Sequence, residues 1–168
     1  MAFKDRLNPI GAVQKYYNGS FSEPGNGGML TPIYPAKVGW VQADTDAFWG
    51  PSVHWNTALK KFVMLLNHSC CSPGWPQEGI YLSTTRDLSD PASWSTPAKV
   101  LNAWGWYPQV IGEGPGESDK VAGAVARLYI YGWSWAELVV TDEAEPPPPD
   151  PEPVAAPPVQ LIHTPPTF

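Results

Sequence analysis

A chain of 168 residues with 43% apolar content and nine tryptophans is long enough to bury one core of ordinary size. Its net charge of −6, with Lys60-Lys61 as the sole adjacent basic pair, excludes a nucleic-acid binder, because no basic cluster exists to neutralise phosphates. No stretch reaches the ~20 apolar residues of a membrane-spanning helix, and Met1-Ala2-Phe3-Lys4-Asp5-Arg6 carries no apolar leader, which predicts a cytoplasmic chain or a natural start further upstream.

Residues 1–30 read as an irregular N-terminal segment, with loop chemistry at Ser22-Glu23-Pro24-Gly25-Asn26-Gly27-Gly28. Val38-Gly39-Trp40-Val41-Gln42 alternates weakly, as a strand would. Ser52–Trp55 then predicts a short strand, Asn56–Lys60 a turn and Phe62–Leu66 a buried strand. A long loop is expected over Asn67–Gln77, a third strand over Gly79–Thr84, a turn at Asp87–Pro91 and an edge strand over Ala98–Leu101. These runs are short, β-branched or aromatic, and bounded by Gly, Pro, Asn and Asp. Cys70 and Cys71 are adjacent; a bridge between neighbours strains the peptide joining them, so they read as two loop thiols, and one such pair is a poor zinc site.

The unit repeats. Trp49-Gly50-Pro51-Ser52-Val53 recurs as Trp106-Tyr107-Pro108-Gln109-Val110, 57 residues on. Phe62–Leu66 is answered by Leu128–Tyr131, and Ile80–Ser83 by Glu137–Val140. Repeats of this length built from short antiparallel strands predict an all-β fold of β-propeller blades over 31–142. A β-sandwich would give similar strands but does not require the phrase to restart. Closure of a propeller takes four or more blades, and two to three are visible, so further blades are expected from a longer chain or a partner. Residues 143–168 hold ten of the 21 prolines and predict a disordered, acidic, solvated tail.

In such a blade the start of the inner strand and the loop between strands two and three share one face. Here they bring Asp46 and Trp49, Trp106 and Tyr107, and the loop containing His68, Trp75 and Glu78 toward one end. Indole faces stack on sugar rings, and a carboxylate pair about 5–10 Å apart suits glycoside hydrolysis. Asp46, Glu78 and His54 are therefore the candidate catalytic residues. Trp49, Trp75, Trp106, Tyr107 and Gln109 are the candidate sugar contacts. No cofactor is indicated; calcium would need oxygens such as those of Asp44, Asp46 and Asn67 to converge.

The run from Trp49-Gly50-Pro51-Ser52-Val53 through Lys61–Leu66 and Gly79–Leu88 to Trp94-Ser95-Thr96-Pro97 resembles a blade of the five-bladed glycoside hydrolase propellers, the arabinanase, β-xylosidase and invertase-like enzymes. The resemblance spans about 44–140 and implies a hydrolase or binder of an extracellular or periplasmic glycan, with Asp87 fastening an outer hairpin. It also departs from the pattern. The positions where those families carry carboxylates hold Trp49, Ser52, Trp106 and Gln109 here. A propeller that binds carbohydrate or protein without catalysis is the alternative.

Overall fold

The computed structural model describes residues 13–39, 46–70, 73–140 and the backbone of 159–162, and it divides into two compact units after Pro35. In the first unit β1 (Gln14–Tyr17) and β2 (Ser20–Pro24) form an antiparallel hairpin. Asn18 and Gly19 turn it, both at positive φ (45° and 96°), the pair of left-handed residues that a tight hairpin demands. Tyr16 meets the edge of Phe21 at 5.4 Å. The expectation of irregular chain over 1–30 is thus corrected for 14–24, where the Asn-Gly signal outweighs the weak alternation.

The second unit is all-β among its described residues, apart from one 3-10 turn at Pro91–Ser93. β3 (Ala47–Asn56), β4 (Lys61–Ser69), β5 (Gln77–Thr85) and β6 (Ala98–Leu101) pair in chain order as an antiparallel meander. β7 (Gln109–Gly112), β9 (Val125–Ile130), β10 (Trp133–Val140) and β11 (Val159–Ile162) form a second meander. β8 (Val121–Ala122) leaves that second run to pair in parallel with the end of β3. Asn56 reinforces the junction: its Nδ2 donates to the Gly123 carbonyl at 3.0 Å, while its Oδ1 accepts from the Ala58 and Leu59 amides of the following turn.

The repeated phrases occupy equivalent places in the two meanders. Gly50 in β3 and Tyr107 just ahead of β7, 57 positions apart, both adopt left-handed backbone at φ 55° and 58°. Glycine takes that conformation freely, whereas tyrosine must be held in it. Phe62–Leu66 lies on β4 and Leu128–Ile130 on β9, the second strands; Ile80–Ser83 and Glu137–Val140 lie on the third strands.

One core joins both sheets. Val63 and Leu65 of β4 and Ile80 and Leu82 of β5 pack with Val110 of β7, Ala126, Leu128 and Ile130 of β9, and Leu138 of β10. These residues sit at alternate positions, as a period-2 strand must place them. The opposite face of β4 is buried too, at Met64, Leu66 and His68, so the strand reads as a nearly continuous apolar run.

Three further expectations change. Residues 38 and 39 belong to no strand, and the rest of 38–42 lies outside the described residues. The loop expected over 67–77 is shorter, because β4 runs to Ser69 and β5 begins at Gln77. The tail contributes β11, whose apolar Val-Gln-Leu-Ile backbone pairs with β10 from Glu137 to Val140; the remainder of 143–168 is outside the described residues.

Candidate functional site

The two Trp-x-Pro phrases converge at one end of the sheets. A Cβ on Gly50 would lie 2.7 Å from Asn67 Oδ1 and 3.0 Å from the Tyr107 ring, so glycine permits the close approach. Asn67, fully buried, accepts the Tyr107 amide at 3.2 Å through Oδ1 and donates to Gln77 Oε1 at 2.6 Å through Nδ2. The indoles at the repeated positions meet: Trp49 and Trp106 stand edge to face, 5.6 Å apart. Trp75, carried by the β4–β5 loop, lies 5.3 Å from Trp49, and Tyr107 lies 6.3 Å from Trp106. The structure thus brings together four of the five expected sugar contacts. Gln109 is exposed at the first position of β7, opposite Tyr129.

Trp106 also forms a wall of a pocket of about 380 Å³, with Trp104, Gly105, Ile130, Tyr131, Trp133 and Trp135. Two segments build it, the 104–106 connection and the β9–β10 hairpin, and the Tyr131 amide ties them by donating to the Trp106 carbonyl at 2.8 Å. A Cβ on Gly105 would come within 2.5 Å of Ile130, so the connection descends onto the floor only because that residue is glycine. Trp104 and Trp133 are 79% and 75% exposed and Tyr131 is 65% exposed, a large aromatic area to leave in water. Sequence reasoning missed Trp104, Tyr131, Trp133 and Trp135. The signal was the doubled Trp-x-Trp spacing at 104–106 and 133–135.

Away from the indoles, on the other face of β4, lies a charged cluster. His68 Nε2 is 2.8 Å from Asp46 Oδ1, and its Nδ1 is 2.7 Å from Glu78 Oε1. A ring protonated on both nitrogens donates to both carboxylates; with one proton it donates to one. Tyr81 donates to the same Glu78 oxygen, Lys99 reaches Glu78 Oε2 at 3.2 Å, and Lys37 holds Asp46 Oδ2 at 2.7 Å. Phe48 packs on the imidazole at 4.6 Å. The expected approach of Asp46 to Glu78 is present, but the imidazole stands between them. His68 itself, expected in an exposed loop, is a buried strand residue because β4 extends that far.

Both carboxyls titrate below their ordinary range. For Asp46 the Lys37 hydrogen bond is the main cause, opposed by burial and aided by His68. For Glu78 burial pushes upward, and the hydrogen bonds from Tyr81, His68 and Lys99 together outweigh it. The Tyr81 hydroxyl is raised, chiefly by burial and then by Glu78. Asp46 and Glu78 are therefore ionised carboxylates held by hydrogen-bond donors, not acids poised near neutrality.

His54 is elsewhere. It lies 5% exposed on the core side of β3, beside a small apolar cavity that includes Val63, Leu82, Val110 and Leu138. Burial lowers its pKa to about 4, and its Nδ1 has no hydrogen-bond partner among the described residues. Asp87 accepts the Ser89 amide and hydroxyl at 2.8 and 2.6 Å, a carboxylate fastening its own turn. For calcium, Asn67 and Asp46 are already engaged on opposite sides of β4, and Asp44 lies outside the described residues. Cys70 is disulfide-bonded, which corrects the expectation of two loop thiols. No described helix is long and apolar enough to cross a membrane.

Comparison with protein-family models, with curated proteins and with solved structures finds no match in any of the three.

Proposed function

We propose that the two meanders are consecutive propeller-type blades whose aromatic end binds a carbohydrate without cleaving it. The observation that carries this reading is the pocket of about 380 Å³ walled by Trp104, Trp106, Tyr131, Trp133 and Trp135, with the Trp49–Trp75 pair continuing from Trp106. Flat apolar faces with an N–H or O–H at the rim match the C–H faces and hydroxyls of a pyranose or furanose ring. The blade reading rests on the matched order of strands in the two meanders and on the paired left-handed residues Gly50 and Tyr107. Closing a ring takes further blades, supplied by a longer chain or a partner. An extracellular glycan is the ligand class that the resemblance implies.

Cleavage is the less supported branch. A glycosidase needs an acid of raised pKa across from a second carboxylate, with the glycosidic bond between them. Asp46 and Glu78 are both lowered, and His68 fills the space between them.

The test is titration of the full chain with pentose and hexose oligosaccharides, followed by tryptophan fluorescence and calorimetry. One sugar class is expected to bind. Trp104→Ala and Trp133→Ala are expected to weaken it at least tenfold each, about 1.4 kcal/mol. Asp46→Asn and Glu78→Gln are expected to leave affinity within about twofold. No response to any sugar would overturn the binding reading. Product formation that disappears in the amide variants would restore the hydrolase.

A further inference from the structure

Three groups of different chemistry meet beside the end of β4. Asp46, His68 and Cys70 each offer one ligand atom, and these atoms lie within 4.8 Å of one another. We infer that they form a binding site for a borderline-soft divalent cation of the zinc class, closed while Cys70 is in its disulfide and opened by reduction. This is independent of carbohydrate binding at the indoles.

The orientation of His68 supports a metal more than a bare ion pair. When the ring carries its proton on Nδ1 and donates it to Glu78, 2.7 Å away, its Nε2 lone pair is left on the side of Asp46. A carboxylate behind a histidine is the arrangement that fixes tautomer and ring angle at metal centres. Glu78 is itself steadied by Tyr81 and Lys99. Lys37 binds Asp46 through Oδ2, which leaves Oδ1 facing His68. His68 is buried, Cys70 is half-buried, and the Asp46 side chain is 13% exposed, so a cation would be largely shielded from water.

Size agrees. A tetrahedral zinc with bonds near 2.1 Å separates its nitrogen and oxygen ligands by roughly 3.3 Å. The Asp46–His68 pair at 2.8 Å must open by about half an ångström, replacing the shared proton by the metal. Nitrogen, oxygen and thiolate sulfur together select zinc over calcium or magnesium, which take oxygen alone. A fourth position is left for water.

The gate is the sulfur. A disulfide sulfur carries no charge and ligates zinc poorly, whereas a thiolate is a strong ligand. The sequence holds one other cysteine, the neighbouring Cys71. Reduction by a dithiol passes two electrons and two protons to the bridge, gives two thiols and leaves the reductant as its own cyclic disulfide. Zinc binding then releases the Cys70 thiol proton.

The experiment titrates the full chain with Co²⁺ and then Zn²⁺, oxidised or reduced on an immobilised phosphine under anaerobic conditions. Reduced protein is expected to develop a thiolate-to-cobalt charge-transfer band that zinc abolishes, and to bind zinc at least 100-fold more tightly than oxidised protein. Cys71→Ala, which leaves Cys70 free, is expected to bind without reductant. Cys70→Ala is expected to show no band in either state. His68→Gln is expected to lose the affinity gain, with its melting transition confirming that it folds. Equal zinc affinity before and after reduction would overturn the inference. So would a band retained by Cys70→Ala, or a folded Cys71→Ala protein that binds no metal.

Discussion

His54 and His68 share a sheet yet face opposite physics. His68 has carboxylates at both ring nitrogens, whereas His54 lies among apolar side chains. Desolvation without a compensating charge lowers the His54 pKa from 6.5 to about 4, so the folded protein holds it neutral. Unfolded chain takes up a proton below about 6.5 that the folded chain refuses, so stability falls as pH drops through that window. The expected loss between pH 6.5 and 4 is about 3 kcal/mol, from the 1.36 kcal/mol carried by each pKa unit. Urea unfolding at pH 7.0, 5.5 and 4.5 measures it. His54→Phe is expected to remove most of the slope, and a slope unchanged in that variant would assign the acid sensitivity to other groups. Asp46 and Glu78 act in a different window. Their folded pKa values lie below 3.8 and 4.5, so the stability they contribute is present above the ordinary carboxylate range and is lost only as pH falls beneath it.

At the scale of elements, the turn residues decide how the two repeats meet. Gly50 sits at φ 55° with Asn67 and Tyr107 against the space a side chain would need. Gly50→Ala combines left-handed backbone, at roughly 1–2 kcal/mol, with a clash against a buried amide. The expected cost is about 2–4 kcal/mol, read as a lowered melting midpoint together with a shift in tryptophan fluorescence as Trp49 loses its place beside Trp106. Truncation before Val159 removes β11 from the edge of β10. Faster hydrogen exchange is then expected at those amides of 137–140 that point toward β11, with β9-facing amides unchanged. Strand positions were legible because each run was short, apolar and punctuated: Phe62–Leu66 became the middle of β4 and Ala98–Leu101 became β6 unchanged. The ends were less legible. Asn67, His68 and Ser69 read as loop by residue type, yet they are buried because cross-strand partners Ile80, Gly79 and Gln77 satisfy their backbone. The Asn18-Gly19 turn was overlooked beside a long glycine-rich stretch. The aromatic end was half legible. The repeat exposed Trp49 and Trp106, but Trp133 and Trp135, marked in the sequence only by their Trp-x-Trp spacing, reach the Trp106 pocket through the β9–β10 hairpin.

Across the second unit, the same side chains that hold each meander together also hold the two to each other. Leu65 on β4 and Leu128 on β9 are each 2% exposed in a single cluster, and β8 leaves the second meander to hydrogen-bond with β3 of the first. The shared cluster draws its side chains from both sheets. A four-stranded meander with one face bared would expose Val63, Leu65, Ile80 and Leu82, and each such side chain contributes roughly 1.5–3 kcal/mol by leaving water. Those sums rival the whole stability of a small domain, about 5–15 kcal/mol. The two meanders should therefore unfold together. Leu65→Ala and Leu128→Ala, though they lie in different sheets, are each expected to cost about 2–5 kcal/mol from lost burial and the cavity left behind. Both should shift one transition in which fluorescence, dominated by the tryptophans near Trp49 and Trp106, and far-ultraviolet circular dichroism coincide. Two separated transitions, with Leu65→Ala moving one and Leu128→Ala the other, would mean that the meanders are independently stable and that the shared cluster is a contact between finished parts rather than the core of one.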